Sequence, residues 1–161
     1  MGSVVGLYLT EVAERPMRAV PAVEVLAGRG IVGDRYAASQ GTWSRGARDH
    51  RAKRHITFIE QEALDAVRRD DGVAVDASDT RRNVVTEGVA LNHLVDREFE
   101  VAGVRFRGVG LCEPCAHLQR VSGKPLLRPL VHRGGLNAEV LTSGTVRIGD
   151  AIEVRPAVEP P

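Results

Sequence analysis

The sequence predicts a mainly β, α+β domain with a few short helices. Three observations carry that reading: 17 Gly and 8 Pro against 4% aromatic residues, a series of short apolar or alternating runs, and few stretches with a helical period. Gly and Pro at that density favour short strands and tight turns over a helix bundle. At 161 residues the chain fits one domain, read as 1–161, with no internal repeat and no linker.

The elements follow in order. Ser3–Val12 is an apolar, β-branched run and reads as a buried strand. Pro16 and Pro21 break the next stretch, and Ala22–Leu26 reads as a second strand ending at Gly28. Gly28–Tyr36 (GRGIVGDRY) reads as a glycine-punctuated turn with Asp34 and Arg35 side by side. Ala37–Lys53 has neither period and reads as a surface excursion, and its basic run Arg45–Arg54 is either a solvated loop or an anion-binding flap. His55–Ile59 is a short strand. Glu60–Arg69 then sets Ala63, Leu64 and Val67 on one helical face and stops at Asp70–Gly72. Asp76–Thr80 is a polar loop, and Leu91–Leu94 is a brief turn or helical piece. Glu98–Val101 and Val104–Leu111 alternate about an Ala102-Gly103 turn, the pattern of a hairpin. Pro125–Leu130 reads as a short helix, Leu136–Leu141 and Thr145–Val154 finish the ordered chain, the latter as a hairpin or bent strand about Gly149-Asp150, and Ala157–Pro161 reads as a loose tail.

Charge and hydropathy exclude several function classes. The net charge is +1, and no aromatic residues interleave with the basic run, so nucleic acid is not an expected partner. No apolar segment approaches the roughly 18 residues of a spanning helix, and the N-terminus lacks a basic-then-apolar signal pattern. A cytoplasmic protein with no membrane partner is expected, its oligomeric state left open. Two cysteines do not make a disulfide scaffold, and in a reducing compartment they serve as free thiols or ligands.

Both cysteines lie in Gly110–Gln119 (GLCEPCAHLQ), as Cys112 and Cys115 in C-x-x-C spacing with His117 two residues on. The preceding strand delivers the pair to a loop on a rigid sheet, where functional groups are commonly held. Pro114 biases Glu113 away from helix, and a short helix begins near Cys115. Cys115 is therefore the candidate nucleophile, with Cys112 and His117 in support, and either cysteine could serve as a metal ligand. Zinc held by Cys112, Cys115 and His117 or His132 is a weaker reading, since only one C-x-x-C exists. A thioredoxin-like pair is disfavoured because that fold carries its motif in an early βαβ unit, and two structural buried thiols remain an alternative.

Cationic clusters accompany the thiols. Arg81-Arg82-Asn83 at the mouth of a strand offers several donors and one acceptor, which suits an anion, although it could equally pair with Asp76 and Asp79. His132-Arg133-Gly134-Gly135 sets a cationic side chain beside glycines whose amides could approach an anion closely.

At these residues the sequence resembles the MOSC domain family, the module at the C-terminal end of molybdenum cofactor sulfurases. Gly30–Tyr36 (GIVGDRY) is similar to its G-x-x-GDR-[HY] segment, and Arg81–Leu91 (RRNVVTEGVAL) to its RxN-[LIV]-x-x-x-G stretch. Leu111–Leu118 (LCEPCAHL) resembles its cysteine motif, with Cys115 at the characteristic position, and His132–Asp150 resembles its closing block. The resemblance implies a barrel-like fold of mixed strands. It also implies a sulfur carrier or molybdenum-cofactor protein whose cysteine takes persulfide sulfur from a pyridoxal-phosphate-dependent cysteine desulfurase, or ligates the molybdenum of molybdopterin. The implied partners are that desulfurase or a molybdoenzyme; pyridoxal phosphate enters only through the partner, as Lys53 and Lys124 are the only lysines and neither sits as a Schiff base. By position, Cys115 is the thiolate, and Arg82 and Asn83 are cofactor contacts, with Arg133 a weaker one. Amidoxime-reducing relatives carry Arg immediately before the cysteine where this chain has Pro114, and they add an N-terminal β-domain. A stand-alone member with a different substrate is the expectation. The alternative is a non-catalytic module that binds an anion or metal and whose cysteines are structural.

Overall fold

The computed structural model describes residues 1–38 and 55–156. The basic run Arg45–Arg54 and the tail Ala157–Pro161 lie outside the described residues. The described strands are β1 (Gly2–Leu9), β2 (Arg18–Ala19), β3 (Ala22–Leu26), β4 (Gly30–Ile31), β5 (Ile56–Glu60), β6 (Val84–Glu87), β7 (Glu98–Val101), β8 (Val104–Leu111), β9 (Leu136–Val140), β10 (Gly144–Arg147) and β11 (Ala151–Val154). Two α-helices are described, α1 (Gln61–Asp71) and α2 (Ala116–Ser122), with short 3-10 turns at Ala77–Thr80 and Leu91–Leu94.

Strands β1, β6, β5, β9, β8, β7 and β11 pair in that order, and β11 returns to β1, so the sheet closes into a barrel. Closure leaves no long unpaired edge. The pairing is mixed: β5 and β6 run parallel, joined through α1, while their neighbours are antiparallel. This is the mainly β, barrel-like architecture that the sequence led us to expect. A small second sheet, β10-β3-β4, lies beside it.

Period-2 alternation divides the apolar residues between two cores. Ile56 and Phe58 of β5 and Val84 of β6 point into the barrel, whereas Ile59 and Val85 point outward to meet Leu64 and Val67 of α1. All three phenylalanines of the chain meet inside the barrel. Phe58 packs edge-on to Phe99 and Phe106 at 5.3 and 5.5 Å, and Phe99 stacks on Phe106 at 5.5 Å. Such pairs contribute about 0.5–1.5 kcal/mol each beyond the area they bury. Helix α1 ends where expected, with Gly72 in the left-handed region at φ 65°.

Two local expectations are corrected. Thr145–Val154 is not a hairpin: β10 pairs with β3, while β11 pairs with β7 and β1. The turn at Gly149-Asp150 instead carries the chain from one sheet to the other. Pro125–Leu130 forms turns rather than a helix, and it buries Leu126 and Leu130 against the α1 core. Apolar spacing there reports burial without regular hydrogen bonding.

His55, buried just before β5, accepts a hydrogen bond at Nδ1 from the Val140 amide at 3.1 Å, so its ring is neutral. Burial lowers its pKa below 6.5, opposed by the nearby Glu139 carboxylate. The unfolded chain therefore takes up this proton at a higher pH than the folded one. Stability from this group is complete above the ordinary histidine pKa and falls as pH drops through it toward the lower folded value. Urea midpoints compared between about pH 7.5 and about pH 5 should show that loss, and His55→Asn, which keeps an acceptor for Val140, should reduce the difference.

Candidate functional site

Strand register gathers the motifs. Leu111 of β8 pairs with Leu136 of β9, Leu136 with Phe58 of β5, and Phe58 with Val84 of β6. Cys112 follows Leu111, Gly135 precedes Leu136, and Asn83 precedes Val84. Three segments far apart in sequence thus meet at one edge of the barrel. Beside them lies a cavity of about 330 Å³ whose wall includes Arg35, Arg81, Arg82, Cys112, Cys115 and His117. Tyr36, Thr57, Glu113, Pro114 and Leu118 complete it. Cys112, Cys115, His117, Arg81 and Arg82 are sequence candidates that converge here.

Adjacent arginines take different tasks. Arg82 is buried and donates from Nε to Gly134 O at 2.7 Å, from Nη1 to Thr80 O at 2.9 Å and from Nη2 to Cys112 O at 2.8 Å. It ties three backbone segments together, and three of its roughly five N–H donors go to that work. Arg81 sits in the left-handed region at φ 61°. Its Nη1 donates to Arg15 O at 2.7 Å, while Nη2 is buried with no hydrogen-bond partner among the described residues. Burial, then the charge of Arg35, brings the Arg81 pKa down to about 10, so the group stays cationic at neutral pH. Arg81 also lines a smaller cavity of about 170 Å³ with Glu14, Met17, Ser78 and Asp79. The anticipated pairing with Asp76 or Asp79 is not formed; Asp79 bonds to Lys124 at 2.6 Å.

Gly28–Tyr36, read from sequence as a turn, holds the most buried charge pair of the site. The side chains of Arg35 and Asp34 are 5% and 0% exposed, with Nη1 to Oδ1 at 3.2 Å. Asp34 also accepts from the Thr10 amide, the Tyr36 amide and Asn83 Nδ2. Arg35 stacks over the Tyr36 ring at 4.5 Å and donates to Arg81 O. Asn83 is likewise committed: its Oδ1 accepts from the Thr57 amide and hydroxyl, both at 3.1 Å, and Nδ2 donates to Tyr8 O. It does not line the cavity, so its place is in the frame behind Arg35 and Thr57. Arg35, Tyr36, Thr57 and Glu113 escaped the sequence reading as site residues. The adjacent Asp34-Arg35 pair was the signal for the first two, because neighbouring opposite charges in a glycine loop can be buried together.

Both cysteines are free thiols. Cys112 is buried at 7% exposure, with its amide donating to Gly135 O at 2.7 Å and its carbonyl held by Arg82. Cys115 is half-buried and occupies the N-cap of α2, in extended backbone at φ −140°, ψ 168°. His117 Nδ1 lies 2.8 Å from Arg120 Nη2 and 3.7 Å from Glu14 Oε1, so it bridges α2 to the loop after β1. Among the described residues no group of three His, Cys, Asp or Glu side chains could hold a metal ion, which removes the basis for a zinc site of Cys112, Cys115 and His117 or His132.

The closing segment takes other contacts. His132, Arg133 and Gly134 do not line the cavity. His132 is exposed and pairs with Glu113 at 3.2 Å, and Arg133 bonds to Asp71 at 3.0 Å and to Pro129 O at 2.6 Å. The glycines serve close packing rather than anion approach. A Cβ at Gly134 would press on Cys112 O, and one at Gly135, with φ 113°, would collide with Phe58 O. Only a bare backbone fits there.

Over residues 37–153 the sequence matches the MOSC domain. The chain belongs to the MOSC domain family. Among solved structures, this MOSC domain is similar to the YuaD protein from Bacillus subtilis, with 20% identity, a TM-score of 0.78 and coverage of 96% of each chain. It is also similar to YiiM from Geobacillus stearothermophilus, at 12% identity and TM-score 0.71, covering 97% of this chain and 76% of that one. YiiM from Escherichia coli aligns at 16% identity and TM-score 0.65, covering 98% and 72%. Identities this low report a shared fold. None of the curated proteins matches the chain. Family membership gives the MOSC domain a molybdenum-cofactor-related role in broad terms. Among the described residues no helix is long and apolar enough to cross a membrane.

Proposed function

We propose that this MOSC domain is a cytoplasmic sulfur carrier for molybdenum-cofactor chemistry, with Cys115 as the carrier thiol and the arginine wall as the seat for the cofactor's anionic end. The observation that carries the reading is the convergence of Arg35, Arg81 and Arg82 on the wall of the cavity that Cys115 also lines. The donor set fits molybdopterin: Arg35, Arg81 and Arg82 share the cavity wall with one carboxylate, that of Glu113, and a thiolate is a soft ligand suited to such a metal. Arg81 and Arg35 would hold the anionic end, with Cys115 nearest the reacting centre. When bound, the cofactor supplies two-electron redox chemistry at molybdenum.

The protein's own step is sulfur uptake. The Cys115 thiolate attacks the terminal sulfur of a persulfide on a pyridoxal-phosphate-dependent cysteine desulfurase. A new S–S bond forms to Cys115, the donor's S–S bond breaks, and the donor cysteine leaves as thiolate, with no net oxidation. The accessible position of Cys115 supports its being the attacking thiol. Incubation with a cysteine desulfurase and cysteine, followed by intact-mass measurement, tests this. Wild type should gain one sulfur atom and Cys115→Ser none; equal masses for the two proteins would refute the carrier role.

A further inference from the structure

We infer that Cys112 and Cys115 form a dithiol–disulfide couple, through which a persulfide on Cys115 is discharged as hydrosulfide without leaving the cavity. The inference rests on the carrier reading and adds to it the fate of the carried sulfur. The chain has two cysteines, so the only thiol of its own that can resolve Cys115 is Cys112. Both are unpaired and both line the one cavity.

Their environments differ in the way such a couple requires. Cys115 is half-buried at the start of α2, where a protein donor can reach it. Cys112 is 7% exposed, so it is shielded from small solution thiols while still facing the shared cavity. Its backbone is fixed on both sides, by the amide bond to Gly135 O at 2.7 Å and the Arg82 bond to its carbonyl at 2.8 Å. C-x-x-C is the spacing in which dithiol oxidoreductases close an internal disulfide, and here it runs from a strand end to the N-cap of α2. Here the same spacing stands on a barrel, and the shielded thiol comes first.

The step balances. The Cys112 thiolate attacks the inner sulfur of the Cys115 persulfide, the bond to the outer sulfur breaks, and that sulfur leaves as HS⁻. The sulfane sulfur is reduced by two electrons while the two cysteine sulfurs are oxidised to a disulfide. An external dithiol then restores both thiols by two exchanges and is itself oxidised to its disulfide.

The experiment loads wild type, Cys112→Ser and Cys112→Ala with an immobilised cysteine desulfurase and cysteine, then removes cysteine and adds no thiol. Wild type should release HS⁻ and become lighter than the reduced protein by two hydrogens, while both variants should keep the extra sulfur and release none. Wild type that retains its extra sulfur as stably as the variants would overturn the inference and leave the carrier reading intact. If no protein takes up sulfur, the carrier reading fails, and oxidation of wild type with diamide decides the rest. An intrachain disulfide would keep the couple without the carrier role, and unreacted thiols would end both.

Discussion

Replacing Asp34 by alanine is expected to lower the unfolding free energy by about 4 kcal/mol, because it strands a buried guanidinium. Asp34 has no exposed side-chain surface, and it balances Arg35, which is 5% exposed. Removing the carboxylate also takes an acceptor from the amides of Thr10 and Tyr36 and from Asn83 Nδ2. The variant leaves a charge in low dielectric, which costs far more than the ion pair itself contributes. The double variant Asp34→Ala with Arg35→Met should therefore recover part of the loss, since both charges are then gone. Urea unfolding of the three proteins measures this. A double variant less stable than Asp34→Ala would mean that Arg35 is held by something other than Asp34.

Arg81→Gln is expected to weaken binding of molybdopterin by roughly 10- to 100-fold, the loss of one charge-assisted hydrogen bond in a buried site. The side chain lines the cavity, and its charge is opposed by burial and by Arg35, an arrangement that an anion would relieve. In contrast to Asp34, stability should change little, because burial and Arg35 both oppose the Arg81 charge. Glutamine retains a donor but neither the fork nor the charge. Dissociation constants from titration with the cofactor test this, and an unchanged value would place the anion elsewhere.

The sequence made some elements legible to the residue and hid others for identifiable reasons. Glu98–Val101 and Val104–Leu111 match their strands because alternation and a two-residue turn are local properties. The partners of Gly144–Arg147 and Ala151–Val154 were not legible, since alternation says which face is buried and nothing about which strand lies alongside. In the site, Cys112, Cys115 and His117 converge as read. Arg81 and Arg82 could not be told apart, because both line the cavity and only their contacts differ: Arg82 is spent on three carbonyls and Arg81 on one. His132–Gly135 read as an anion loop because glycine next to arginine looks the same whether the backbone must approach a ligand or another strand. Contact with Phe58 and Cys112 decides for the strand.

The most direct measurement is the molybdenum and pterin content of wild-type protein isolated from cells that make the cofactor, beside Arg81→Gln. If the arginine-walled cavity is a cofactor seat, wild type carries both in matched amounts and Arg81→Gln carries markedly less. Wild type free of both, or an equal content in the variant, contradicts it.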